Sequence, residues 1–421
     1  MNLLDSIKTG LSSRPALVSF CLVMAFFFLP ISTSGMNIFV SLALAFILLT
    51  PSYWGPLREA FMQKETMLAC LFFFYIGLAC LWSSAAPHEQ WVVVGKYSKL
   101  LYIPILTVGF LDEKTKKRAI YAFLAAMILT SCVAWLKNLG FLSFRMDDMG
   151  YVFRNHIITG YMMSVAAYVA LLGCVESQNR RYALLYGCLF VLFSYHVLFI
   201  GTGRMAYLIY FLLIAIFLIQ KVSLRHLLMS MIGLIAVGVA VYQVNPVMQC
   251  RINDIKKDYV LLQQHDKSTS MGYRIQFHQF AFELFKKTPW IGQGTGGFSD
   301  AFEKANPVPS WGPRLFEPHS QYWLVAADGG MVGLALFFAL FMRLILACLR
   351  SKENAALGCA LLISFLCSSL TDSFLLYSMT GMFLILFLAL CLAGGAREPL
   401  PTSRVISFSG RVIHRLFRDK P

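Results

Sequence analysis

Charge is what this sequence has least of. Lysine, arginine, aspartate and glutamate make up 14% of its 421 residues, where a soluble domain carries roughly 25%. Acidic residues are the scarcer sign, 21 against 36 basic ones. With 58% hydrophobic residues and a mean hydropathy of +0.66, no water-soluble globule could hide the apolar surface. Other absences exclude whole chemistries. There is no P-loop lysine, no Cys/His cluster at metal-ligand spacing and no Gly-x-Ser-x-Gly elbow. Of the eleven cysteines, ten lie in or beside apolar blocks, where the thiol behaves as a small hydrophobe. Cys250 alone falls in a long polar segment, so no disulfide staples it. No internal repeat or low-complexity tract is present.

What is present is a series of continuous apolar blocks, each long enough for a hydrocarbon core of roughly 30 Å. Alternation over about ten residues, the mark of a membrane barrel, is missing. The blocks therefore predict an all-α polytopic membrane protein of about twelve spans, near 15–31, 36–51, 66–83, 98–111, 119–138, 156–174, 182–200, 204–220, 227–243, 322–347, 355–370 and 377–394. Lys8 and Arg14 before the first block imitate a signal peptide. A second block follows at once without a small-x-small cleavage site, so the first span is expected to be retained.

Lysine and arginine set the orientation. With the N-terminus in the cytoplasm, twenty-one of the 36 fall on the cytoplasmic side and six in short external loops. Both termini are then cytoplasmic. The net charge of +15 follows from this bias and from a basic tail at 396–421 lying on anionic lipid, not from nucleic-acid binding. Four regions result: spans at 1–243, a large external loop at 244–321, spans at 322–395, and the tail.

A structureless loop as long as 244–321 would be unusual, so it is expected to contain helices and to carry function. Tyr273, Phe277, Phe280 and Leu284 recur with helical period, and Arg274 and His278 share another face. This predicts an amphipathic helix over 270–288 lying along the membrane surface. Pro289, Gly292, Gly294, Gly296 and Gly297 end it in a turn that lets backbone approach a neighbour.

The residues that could carry chemistry crowd the external face. Arg204 sits in a tight turn at 201–204, Arg145 and Arg154 flank the start of the sixth span, and Arg274 lies on the amphipathic helix. Guanidinium groups around one cavity would suit a diphosphate, which they grip bidentately; each also reads as an interfacial anchor. His319, where the loop re-enters the membrane, is either a structural hydrogen-bonder or a proton acceptor. Neighbouring cations are expected to depress its pKa and keep it neutral. Asp328 inside the tenth span needs a partner. Asp372, in the last external turn, reads as a cap or a functional acid.

The run His319-Ser-Gln-Tyr322-Trp-Leu324 with Asp328, Gly330 and Gly333 resembles the motif after the large periplasmic loop of the O-antigen ligase family. That family shares a superfamily with O-antigen polymerases and bacterial O-oligosaccharyltransferases. Thr202-Gly-Arg204 looks like its Ser/Thr-x-Arg turn. Arg274 with Pro289-Trp-Ile-Gly292-Gln-Gly294 and Phe298 looks like its Arg…Pro-x-x-Gly-x-Gly…Phe segment. Asp372 matches an acid of its last external loop. Ser320 stands where asparagine is frequent and Asp328 where glutamate is.

The resemblance implies a GT-C-like glycosyltransferase of the bacterial inner membrane, acting in lipopolysaccharide biosynthesis. It would move a glycan from undecaprenyl diphosphate to a sugar hydroxyl of lipid A–core, on the periplasmic face. It implies His319, Arg204 and Arg274 as catalytic, with Asp372, Asp328 and Ser320 in support. Arg154, Arg145, Tyr322 and His278 are candidate substrate contacts. An activated glycosyl diphosphate needs no cofactor, and with no metal cluster in the sequence the transfer is expected to be metal-independent and inverting. Polymerase and protein O-oligosaccharyltransferase fit the same motifs. A lipid-linked-sugar flippase or other transporter would call for inverted repeats and midplane charges, which the sequence does not offer.

Overall fold

A computed structural model describes residues 3–142, 151–351 and 354–394, with side chains from Arg14 onward. Arg145 and the tail 396–421 lie outside the described residues. Among those described there is no strand. In hydrocarbon every backbone N–H and C=O must be bonded within its own segment, so apolar blocks of this length become helices. Eight helices are long and apolar enough to cross a membrane, or nine if the bent pair Thr33–Leu48 and Pro51–Phe61, 83° apart, is one span. Three shorter apolar helices are Arg14–Phe28, Ala355–Ser368 and Ser378–Leu392. The protein is thus an all-α, multi-pass membrane protein.

Local signals place the helix starts. Asp112, Asn155 and Asn179 each accept a backbone N–H in the first turn, capping Glu113–Asn138, His156–Glu176 and Arg180–Tyr195. One boundary departs from expectation. The span predicted at 98–111 belongs to a helical stretch Pro87–Gly109. Its first half mixes Gln90 and Lys96 with Trp91 and Val92, a pattern too polar for an apolar block to reveal. A 3-10 segment, Ser98–Leu101, interrupts this stretch.

Ser378–Leu392 is apolar all round, as a helix enclosed on every side must be. Phe383 and Phe387 on it meet Phe26, Phe123 and Tyr161. Leu224–Val244, by contrast, buries none of its residues. Between Leu224–Val244 and Gln321–Arg350 the chain forms the helices Pro246–Gln263, Ser270–Lys287 and Gly297–Ala305. Ser270–Lys287 turns Phe277, Ala281 and Leu284 inward and packs on Gln321–Arg350.

Candidate active site

The helix Gln321–Arg350 is broken near its start, and the break organises the site. Gly330 adopts φ 61°, ψ −156°, a conformation essentially reserved for glycine. The break leaves helical N–H and C=O groups without their usual partners. The segment 289–294 supplies them. Met331 N–H donates to Pro289 O at 2.8 Å and Val332 N–H to Trp290 O at 3.1 Å. In return Gln293 and Gly294 donate to the carbonyls of Ala327 and Asp328, at 2.8 and 2.9 Å. A Cβ on Gly292 would sit 2.4 Å from the Asp328 carbonyl, so glycine is required where the two backbones touch. The Tyr75 hydroxyl seals the joint by donating to Gly329 O at 2.7 Å.

Asp328 completes the joint. Its carboxylate accepts from Phe298 N–H at 2.7 Å and Gly296 N–H at 3.1 Å, at the N-terminus of Gly297–Ala305. These two donors and the positive end of the helix dipole offset part of the cost of taking the carboxyl group out of water. Asp328 is therefore tied into the glycine-rich turn and holds it against the broken helix.

His319 stands just before that helix, with φ 54°, a left-handed conformation uncommon outside glycine. Glu317 fixes the turn: its Oε2 accepts from His319 N–H at 2.7 Å and from the Ser373 hydroxyl at 2.6 Å. The ring's Nδ1 lies 3.1 Å from Asp372 Oδ1 and 3.1 Å from Glu317 Oε1. Flanked by two carboxylates, Nδ1 carries the proton and Nε2 is left as acceptor. Tyr377 bridges the two acids, its hydroxyl 2.7 Å from Glu317 Oε1 and 3.2 Å from Asp372 Oδ1. Burial, reinforced by those charges, pushes the phenol far up, so it stays a donor. Phe277 and Trp311 flank the imidazole, with ring centroids at 5.9 and 6.3 Å.

The expected depression of the His319 pKa is not what the geometry gives. Burial is the largest influence and pulls it down. The Asp372 hydrogen bond and the charges of Glu317 and Asp372 outweigh burial, and Arg274 opposes them weakly, so the value stands above the ordinary one. The nearest charges are acids in direct contact, and the cations are farther off. His278 goes the other way: burial lowers its pKa, and its Nε2 lies 3.4 Å from the His319 carbonyl.

The arginines meet through a serine. Arg204 Nη2 and Arg274 Nη1 each lie 3.2 Å from Ser270 Oγ, one residue into Ser270–Lys287. Arg204 opens the helix Arg204–Lys221 and also faces Asp258, Nη1 to Oδ2 3.5 Å. Arg274 is one helical turn from His278, which reaches the His319 backbone. The guanidinium groups of Arg204 and Arg274 and the imidazole therefore belong to one neighbourhood. Arg154, just before His156–Glu176, has Nε and Nη2 buried without a partner, and burial lowers its pKa.

Two other candidates face elsewhere. The Tyr322 hydroxyl donates to Leu366 O at 2.8 Å, tying two helices together. Ser320 is buried, its hydroxyl 3.5 Å from Ser369 O. Glu317, Tyr377, Ser373 and Ser270 were missed by sequence reasoning. Glu317 had one signal, an acid two residues before the histidine; Tyr377 and Ser270 had none. The ligand atoms of Glu317, His319 and Asp372 lie within 4.8 Å of one another, the size of a cation site. Three of their four carboxylate oxygens, Glu317 Oε1 and Oε2 and Asp372 Oδ1, already take part in a hydrogen-bonded unit with the His319, Ser373 and Tyr377 donors.

Residues 188–338 match the protein family described as O-antigen ligase, which places this part of the chain in the O-antigen ligase superfamily. The matched segment contains Arg204, Arg274, Glu317, His319 and Asp328, and ends before Asp372 and Tyr377. The chain is also similar to an uncharacterized protein of Haemophilus influenzae, 22% identical over 340 residues that cover 74% of this chain and 83% of the relative.

Proposed function

We propose that this protein is an O-antigen ligase of the bacterial inner membrane. It transfers a glycan from undecaprenyl diphosphate to a sugar hydroxyl of lipid A–core on the periplasmic face, in lipopolysaccharide biosynthesis. The observation that carries this reading is the convergence of Arg204 and Arg274 on one oxygen, beside a histidine held by two carboxylates. The donor is a glycosyl diphosphate, so the leaving group needs no further activation. Two guanidinium forks hold the diphosphate and stabilise the charge it gains as the anomeric carbon–oxygen bond breaks. The acceptor hydroxyl lies at His319 Nε2, which takes its proton as the new glycosidic bond forms. Asp372 and Glu317 stabilise the resulting imidazolium, as the carboxylate does in a Ser-His-Asp triad. One displacement inverts the anomeric centre. Nothing in these steps calls for a metal or a cofactor, and the arginines take the part a cation would play. The active face is external, with both termini and the basic tail in the cytoplasm.

The test is transfer by the purified protein from an undecaprenyl-diphosphate-linked glycan, with lipid A–core as acceptor and EDTA present. Glycosylated lipid A–core is the expected product. Extension of a second lipid-linked glycan instead would identify a polymerase, and modification of a protein hydroxyl an oligosaccharyltransferase. Movement of the donor across vesicles without transfer would mean a flippase. Loss of activity in EDTA would overturn the metal-free mechanism and turn Glu317, His319 and Asp372 into cation ligands.

A further inference from the structure

We propose that Lys99 is a positioning residue for the His319 centre. It acts by holding the loop 372–377, which delivers Asp372 and Tyr377. The proposal rests on the reading of His319 given above. Lys99 lies in the 3-10 segment Ser98–Leu101, within the helical stretch Pro87–Gly109. Its residue is 4% exposed, and no described carboxylate pairs with it. A charge in such a place is costly and calls for a reason. An ammonium has three N–H donors. Here three carbonyls of one loop surround it, Leu375 O at 2.8 Å, Tyr377 O at 2.9 Å and Leu376 O at 3.4 Å.

Two residues of the same loop are also held through their N–H groups. Gln321, fully buried, accepts from the N–H groups of Leu375 and Leu376 at 3.0 and 3.2 Å, while its amide donates to the Tyr97 hydroxyl at 2.8 Å. Lys99 thus takes the carbonyls and Gln321 the amides. Gln321 is two residues after His319, so the histidine and the loop that orients it share one anchor. Gly381 leaves the room: a Cβ there would lie 2.5 Å from the Lys99 ammonium. An apolar side chain could fill the space but would take the donor from the Leu375 and Leu376 carbonyls, while Tyr377 O would keep only the Gly381 N–H at 3.1 Å. The ammonium fixes where those carbonyls point, and with them the Asp372 carboxylate and the Tyr377 hydroxyl. Misplacing a reacting group by an ångström can cost about 10²-fold in rate, so the loop's position matters out of proportion to its size.

Two measurements on the full-length protein test this. The first is the cryo-EM structure of Lys99→Met. The expected result is a displaced loop, with Asp372 beyond hydrogen-bond reach of His319 Nδ1. A loop unmoved, with that bond intact, overturns the proposal. Should Lys99→Met fail to accumulate, Lys99→Gln, whose shorter amide cannot reach all three carbonyls, is read in the same way. The second is a double-mutant cycle in the transfer assay. Lys99→Met is expected to lower turnover by about 10- to 10²-fold, and to add little further loss on an Asp372→Asn background, because both act through one contact. Losses that multiply would mean a merely structural lysine and would overturn it. If the wild type transfers nothing, the ligase reading fails, and the structural arm still decides the role of Lys99.

Discussion

At His319 the sign of one pKa shift controls what pH should do. Its value stands above the ordinary one because the Asp372 hydrogen bond and the two acids outweigh burial. The base-competent form is the neutral one, so transfer should rise with pH through that elevated value. Asp372→Asn removes a bond and a charge that favour the imidazolium. The pKa then falls and the rising limb moves to lower pH, even as the plateau rate drops; Glu317→Gln moves it the same way. A limb that stays in place in both variants would remove His319 as the titrating base. His319→Ala should cost a factor of about 10²–10⁴, the usual worth of a general base, while donor binding persists on the arginines. Arg204→Ala and Arg274→Ala should each nearly abolish transfer, and lysine at either position should rescue poorly, since an ammonium lacks the bidentate fork. Near-wild-type rates in both lysine variants would reduce the clamp to general positive charge. Ser270→Ala removes the oxygen the two arginines share. It should weaken donor binding by about 2- to 10-fold, the worth of roughly 0.5–1.5 kcal/mol in hydrogen bonding, read as KM with kcat little changed.

The broken helix Gln321–Arg350 and the turn 289–294 are one element in energetic terms. Each supplies the bonds the other lacks, and each needs glycine where they touch. Gly330→Ala meets two penalties: a backbone conformation closed to residues with a Cβ, and a contact 2.5 Å from the Trp290 carbonyl carbon. The strain alone is of order 1–3 kcal/mol. The expected outcome is a lower heat-denaturation midpoint in detergent, with transfer reduced through displacement of His319. Glycine at 333, where the space is less tight, should be more tolerant of alanine. Equal midpoints for the two variants would mean that the break is not held by this contact.

For the whole molecule the decisive matter is which face carries the site. The basic-residue bias predicts Lys221 in the cytoplasm and the region around Gln264 outside. Reporter fusions should read cytoplasmic after Lys221 and periplasmic after Gln264. A cytoplasmic signal from the second would put His319 on the wrong side for a lipid A–core acceptor and end the ligase reading.

The membrane class and most helix positions were legible in the amino-acid sequence. Both follow from local physics: an apolar block in hydrocarbon has to bond its own backbone, so length and apolarity suffice. Where the stretch 87–97 mixes polar with apolar residues, the local signal failed and the helix began earlier than predicted. The sequence also singled out Arg204, Arg274, His319 and Asp372, because charged and titratable residues are rare in such a chain. How they meet depends on the packing of the helices. The partners of the histidine come from Glu317, two residues away, and from Asp372, 53 residues on. The lysine that holds the Asp372 loop is 276 residues from the nearest carbonyl it binds. Such encounters depend on how helices pair and rotate, which no local pattern encodes. The same holds for the His319 pKa: scarce charges pointed to cations nearby, but which charge lies within hydrogen-bond reach is a property of the packed bundle, and there it is two acids.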